Sequence, residues 1–118
     1  MEKWVEALVS GEYKQGKGYL RESRNKKKAT YCCLGVLCDL AEKDGVIPRE
    51  VLPKDKKRKV TYFGNQSFHL PAKVRKWAGM KSALGDIKGM SVSLADLNDQ
   101  GLNFEGISTI IAHNYKKL

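Results

Sequence analysis

The stretch Tyr31–Gly45, YCCLGVLCDLAEKDG, decides the fold. From Leu34 to Cys38 it is apolar around most of a helical circumference, and its first charge comes only at Asp39. A helix that is apolar on nearly every side is one surrounded by other elements. Gly45 supplies its stop. In 118 residues there is room for one core built on such a helix and not for two, so a single domain over residues 1–118 is expected.

Working outward, YLRES and ATYCC flank the polar turn RNKKK, which reads as a β-hairpin with a basic tip at Arg24–Lys28. Before it, GEYKQGKG is a glycine-rich loop. Trp4, Val5, Leu8 and Val9 repeat at helical spacing, giving a short helix over residues 2–10 closed by Gly11. After the central helix, VIPREVLPKDKKRK contains two prolines and reads as a loop. KVTYFG and QSFHL, either side of Asn65, read as a second hairpin. Pro71 suits the first position of a helix PAKVRKWAG with Val74, Trp77 and Ala78 turned inward. Ser93 with Asp96 forms a capping-box pattern for SLADLNDQ. Asn103 caps a last helix whose apolar stripe is Phe104, Ile107, Ile110, Ile111 and Tyr115. The sum is an α+β domain of about five short helices and four strands.

The charge pattern is as informative as the apolar one. Residues 11–31 hold seven Lys/Arg against Glu12 and Glu22, and residues 54–59 hold five against Asp55. These two segments therefore carry the whole net charge of +9, and the rest of the chain is neutral. Such blocks are ordinary solvated loops or, in the sharper reading, an electropositive surface for an anionic partner. No apolar run approaches the roughly 20 residues that span a bilayer. The start, MEKWVEAL, lacks the basic and then apolar regions of a secretory signal, so no membrane and a cytoplasmic location are expected. Cys32, Cys33 and Cys38 are odd in number and crowded, unlike a disulfide framework, and no second knuckle completes a zinc site. They read as small buried hydrophobes, with neither metal nor cofactor.

Three stretches invite chemistry. In SGEYKQGKG, glycines interleaved with Lys14 and Lys17 let backbone N–H and ammonium groups surround a phosphate, or serve only the loop's turns. Tyr13, Tyr19, Tyr31, Tyr62 and Phe63 lie in sequence beside the basic segments, as base stacking on a charged groove requires, though tyrosine is equally at home in hairpins. Cys33, at the start of a helix, is placed where the dipole favours a thiolate; a hydrolase would take His69 as base, with Asn98 or Asp99 as a third polar group. LNDQG, at 97–101, reads as helix-end structure.

Four segments, ALVSGEYKQGKGYLR, YCCLGVLCDLA, HLPAKVRKWAG and LADLNDQG, cover most of the chain and resemble those of small proteins found in tailed phages and prophages. That resemblance implies a viral accessory protein in the host cytoplasm, acting against host defence or metabolism. More narrowly, CLGVLCDLAEKDGVIPRE is similar to the segment around the nucleophile of NlpC-type papain-like peptidases, and VTYFGNQSFH to their strand pair. This implies a papain-like arrangement with Cys33 as nucleophile, although Lys59 stands where those enzymes usually place the catalytic histidine. The expectation from the residues is a non-catalytic binding module for a phosphate-bearing anion, a nucleotide or a nucleic acid. Its contacts would be Tyr13, Lys14, Gln15, Lys17, Arg21, Arg24, Lys26 and Tyr31, assisted by residues 54–59. The alternatives are a thiol hydrolase using Cys33 and His69, and an inhibitor covering an acidic patch on a host protein.

Overall fold

In a computed structural model, residues 2–24 and 27–118 are described. The central helix, α2, runs Cys33–Lys43, and all its residues from Cys33 to Asp39 are buried, as is Ala41. It sits so deep because Gly35 lets another segment cross it: a Cβ at that position would overlap the Leu20 carbonyl. Gly45 takes the left-handed conformation (φ 76°) that ends the helix, and Val46 then donates back to the Ala41 carbonyl at 2.9 Å.

Among the described residues there are four further α-helices: α1 Glu2–Val9, α3 Ala72–Ala78 and α4 Leu94–Asp99, which pack on α2, and α5 Phe104–Asn114, which packs on α1 and α4. α1 lies against α5 and α2, with Trp4 and Leu8 buried and the Trp4 indole N–H donating to the Cys33 carbonyl at 2.9 Å. The expected caps form. Ser93 and Asp96 close a reciprocal capping box on α4, and the Asn103 side chain accepts from Gly106 N–H on α5. Two expected core residues are not in the core. Trp77 is 39% exposed, so α3 holds the interior with Val74 alone among its buried residues. Tyr115 is 51% exposed, because α5 ends at Asn114 and the chain tightens into a 3₁₀ turn, Tyr115–Lys117, that swings the stripe out of register. The apolar end of the chain is tucked in instead: Leu118 is buried, and its main-chain oxygen accepts from Lys81 N–H at 2.7 Å.

Among the described residues the sheet has five strands, β1 Lys14–Gln15, β2 Arg21–Arg24, β3 Thr30–Tyr31, β4 Arg49–Pro53 and β5 Arg58–Phe63, in the order β1-β3-β2-β5-β4. β1 is parallel to β3 and every other pair is antiparallel. The β2–β3 hairpin is the expected one. The second hairpin is shifted by one element. VIPREVLPK is not a loop, since Arg49–Pro53 forms β4 and pairs along its length with β5. Proline is compatible there because β4 is an edge strand whose residues are all exposed. QSFHL, expected as a strand, makes only the isolated bridge Phe63–Gln66 through a tight turn at Gly64 (φ 62°). The chain then docks on the start of β2, where Leu20 N–H donates to the Ser67 carbonyl at 2.7 Å. Helices on one core with a largely antiparallel sheet make this an α+β domain. Among the described residues no helix is long and apolar enough to cross a membrane.

Candidate functional site

The glycine-rich loop is held shut from inside. Asn98, on the buried face of α4, uses all four of its hydrogen-bonding positions. Its Oδ1 accepts from Cys33 N–H at 3.1 Å and from Gln15 Nε2 at 2.9 Å, while Nδ2 donates to the Gly16 carbonyl at 2.8 Å and to Asp99 Oδ1 at 3.2 Å. Gln15 continues the clamp: Nε2 also donates to the Leu102 carbonyl at 2.8 Å, and Oε1 accepts from Phe104 N–H at 3.0 Å. Three of the loop's own backbone donors are engaged as well. Gly16 N–H goes to the Tyr31 carbonyl at 2.7 Å, Gly18 N–H to Asp99 Oδ1 at 2.9 Å and Tyr19 N–H to the Lys17 carbonyl at 3.0 Å. In the expected cradle, the N–H groups of Gly16 and Gly18 are therefore occupied by the protein itself. Gln15, expected to touch a ligand, is a structural amide.

The cations are left outside, and the sheet gathers them. Antiparallel pairing of β2 with β5 sets Ser23 opposite Lys59 and Arg24 opposite Arg58, so two basic segments more than 30 residues apart meet. Two open clefts share Arg24 and Lys27. One, of about 590 Å³, is completed by Asp55, Lys56, Lys57 and Arg58. The other, of about 350 Å³, is completed by Lys14, Gly16, Lys17, Glu22, Lys28 and Thr30. Their eight cationic side chains face two carboxylates, so the surface is strongly positive. Those carboxylates are already engaged with the arginines. Glu22 Oε1 lies 3.2 Å from Arg24 Nε and 3.9 Å from Arg58 Nη1. Asp55 accepts from the Lys57 and Arg58 N–H groups at 2.9 and 2.8 Å and pairs with Arg58 Nε at 3.0 Å; these backbone bonds and then the guanidinium hold its carboxyl below the usual range. Among the described residues no carboxylate pairs with Lys14, Lys17, Lys27, Lys28, Lys56 or Lys57. Lys26 lies outside the described residues.

Tyr13, Arg21 and Tyr31 line a different cleft, of about 330 Å³, around Asp39. The buried Asp39 carboxylate accepts from the Tyr13 hydroxyl at 2.5 Å and pairs with Lys43 at 3.1 Å and Arg49 at 3.3 Å. Burial, then the bond to Asp39, pushes the Tyr13 phenol up to about 12. The same carboxylate, with the Tyr13 hydroxyl, raises the Lys43 ammonium. Arg21 donates to the Tyr31 hydroxyl at 3.1 Å and to Thr61 Oγ1 at 2.7 Å. Tyr13 and Tyr31 meet edge to face at 4.9 Å. Asp39 organises this network, yet in the sequence it is only the first charge after an apolar run. An aspartate on α2 and a tyrosine 26 residues earlier carry no spacing signal for each other.

The thiols sit elsewhere again. Cys32, Cys33 and Cys38 are free and buried, and burial raises all three, Cys32 to about 11 and the other two well above the ordinary value. Cys33 Sγ lies 3.6 Å from the Leu94 carbonyl, and among the described residues no hydrogen bond joins it to His69. His69 is half-buried, and its Nδ1 has no hydrogen-bond partner among the described residues. No cluster of three or more His, Cys, Asp or Glu side chains suited to a metal occurs among the described residues.

Compared with known proteins, residues 1–115 match the model of the family described as Domain of unknown function (DUF8296). No curated protein and no solved structure matches the chain significantly.

Proposed function

We propose that this chain, which belongs to the DUF8296 family, is a non-catalytic binding module for a phosphate-bearing polyanion, with a nucleic-acid backbone as the ligand its surface fits best. One observation carries the reading: β2–β5 pairing brings the two segments that hold the whole net charge onto adjoining clefts. Glu22 bridges the opposed Arg24 and Arg58, which leaves the neighbouring lysines, none of them paired with a carboxylate among the described residues, to repel one another. A polyanion relieves that repulsion. Because the N–H groups of Gly16, Gly18 and Tyr19 are bonded internally, phosphate contact falls to ammonium and guanidinium groups on an open surface. This arrangement suits a backbone of repeated phosphates better than one enclosed nucleotide. The three free, buried cysteines support a reducing compartment such as the cytoplasm.

The test is fluorescence anisotropy of labelled oligonucleotides titrated with the protein at low and then rising salt. The expected result is binding that weakens log-linearly with salt. Affinity for an acidic protein surface, with none for any oligonucleotide, would turn the reading towards an inhibitor.

A further inference from the structure

At the margin of the basic surface, an exposed phenylalanine ring is stacked on a half-buried tyrosine. Tyr19 and Phe68 lie with centroids 4.6 Å apart and planes 25° from parallel, and Phe68 is 54% exposed. The pair is held firmly. Leu20 is fully buried and bonded to Ser67, which fixes the residues next to each ring. Lys54 places its ammonium 4.3 Å from the Tyr19 ring centroid and donates to the Tyr19 hydroxyl. Lys54 also belongs to the basic run, since its N–H donates to the carbonyl of Arg58, a residue of the larger cleft. Along the chain, Tyr19 precedes Arg24 by five residues, about 17 Å at an extended rise. The aromatic step and the cationic clefts thus lie within reach of a few nucleotides of one strand.

We infer that the Phe68–Tyr19 pair is a base-stacking platform and that the ligand is single-stranded nucleic acid. The inference rests on the polyanion reading above and narrows it. Phosphates alone would need only the cations. An exposed, preorganised aromatic face beside them adds what unpaired bases offer and duplexes hide, a π-surface. The Lys54 ammonium next to Tyr19 adds a cation to that platform. Neither ring is needed to fill the core, because both lie outside the buried cluster.

The experiment compares three labelled ligands with the same number of phosphates: a single-stranded oligothymidylate, an abasic strand and a duplex. Each is titrated at low salt against wild type, Phe68→Ala, Phe68→Leu and Phe68→Tyr. Oligothymidylate is expected to bind roughly ten- to hundred-fold more tightly than the abasic strand. Phe68→Ala and Phe68→Leu should remove that preference while leaving abasic binding unchanged, and Phe68→Tyr should keep it. Thermal melts show whether each variant is folded, and Phe68→Leu retains apolar volume if the alanine variant is not. Equal affinity for all three ligands, insensitive to Phe68, overturns the platform and leaves the polyanion reading standing. Binding to none of them overturns both.

Discussion

The side-chain oxygen of Asn98 accepts the backbone N–H of Cys33 at 3.1 Å, joining α4 to the first turn of the central helix across 65 residues. Cys32, at the N-cap position, makes no side-chain cap, so Asn98 satisfies one of α2's otherwise unpaired donors from outside. The same amide holds Gly16 and Gln15. Asn98→Ala therefore strands the buried Cys33 N–H and the half-buried Gly16 carbonyl at once, each worth about 1–3 kcal/mol. A loss of about 3 kcal/mol is expected from urea denaturation, read as a lower midpoint with an unchanged slope. A midpoint equal to wild type would show that water replaces the amide without cost.

Leu37→Ala is expected to cost about 2–5 kcal/mol, the usual effect of emptying a buried leucine site. Leu37 is 3% exposed and belongs to the core cluster. Trp77→Ala is the control, since exposure of 39% leaves it a much smaller loss although its side chain is larger. Thermal melts of the two variants should rank them in that order. The reverse order would place α3, not α2, at the centre of the core.

These two variants mark how far the sequence was legible. Leu37 was readable because an apolar run wrapped around a helix has one reading. The capping box at Ser93 was readable because its partners are three residues apart. Trp77 misled because helical spacing locates a face without saying whether anything covers it. β4 was hidden by Pro48 before it and Pro53 at its end, and by its position at the edge, where no apolar alternation is required. The Asn98–Gln15 clamp and the Asp39 network were invisible for another reason. Their partners are far apart in sequence, and asparagine, glutamine and aspartate are commonplace in loops and helix ends. The basic surface was half legible: charge counting named its segments, and only the β2–β5 register joined them.

The joined surface makes a prediction about salt. Each phosphate neutralised contributes a slope of roughly −0.7 to −0.9 in log K against log salt. Lys27 borders both clefts, Lys28 one and Lys57 the other. Replacing all three with glutamine should flatten the slope by about three such units if each meets a phosphate. The same experiment on Arg21→Gln should leave the slope nearly intact, because that guanidinium is bonded to Tyr31 and Thr61 in the Asp39 cleft. An Arg21 variant that flattens the slope more than the lysine triple would move the ligand into that cleft.

Alkaline pH probes the Asp39 network separately. Tyr13 has its ordinary value near 10 in the unfolded chain and about 12 when folded. Between those values the unfolded chain has released the proton and the folded chain has not, so the folded state is progressively disfavoured. This contribution is whole below pH 10 and is lost as pH rises to about 12. Tyr13→Phe has no proton to lose. Its stability should fall less steeply than wild type's over that window, with the cysteines contributing equally to both. Parallel curves for the two proteins would mean that the Tyr13 phenol titrates alike in both states.

The thiols decide between binder and hydrolase. A nucleophilic cysteine must be reachable and sufficiently ionised near neutral pH. Cys33 is 0% exposed, and burial holds its thiol well above the ordinary value. The helix that begins at Cys33 favours a thiolate there, but desolvation in the core opposes it and is the larger effect. Iodoacetamide should therefore modify folded protein far more slowly than a free thiol. All three cysteines should become reactive together when denaturant opens the core they share. Mass spectrometry of a timed series distinguishes the cases, since modification confined to one site gives a single added mass well before the others. Rapid single modification at Cys33 in the folded state, slowed in His69→Ala, would reinstate the hydrolase and move the functional site from the basic surface to the start of α2.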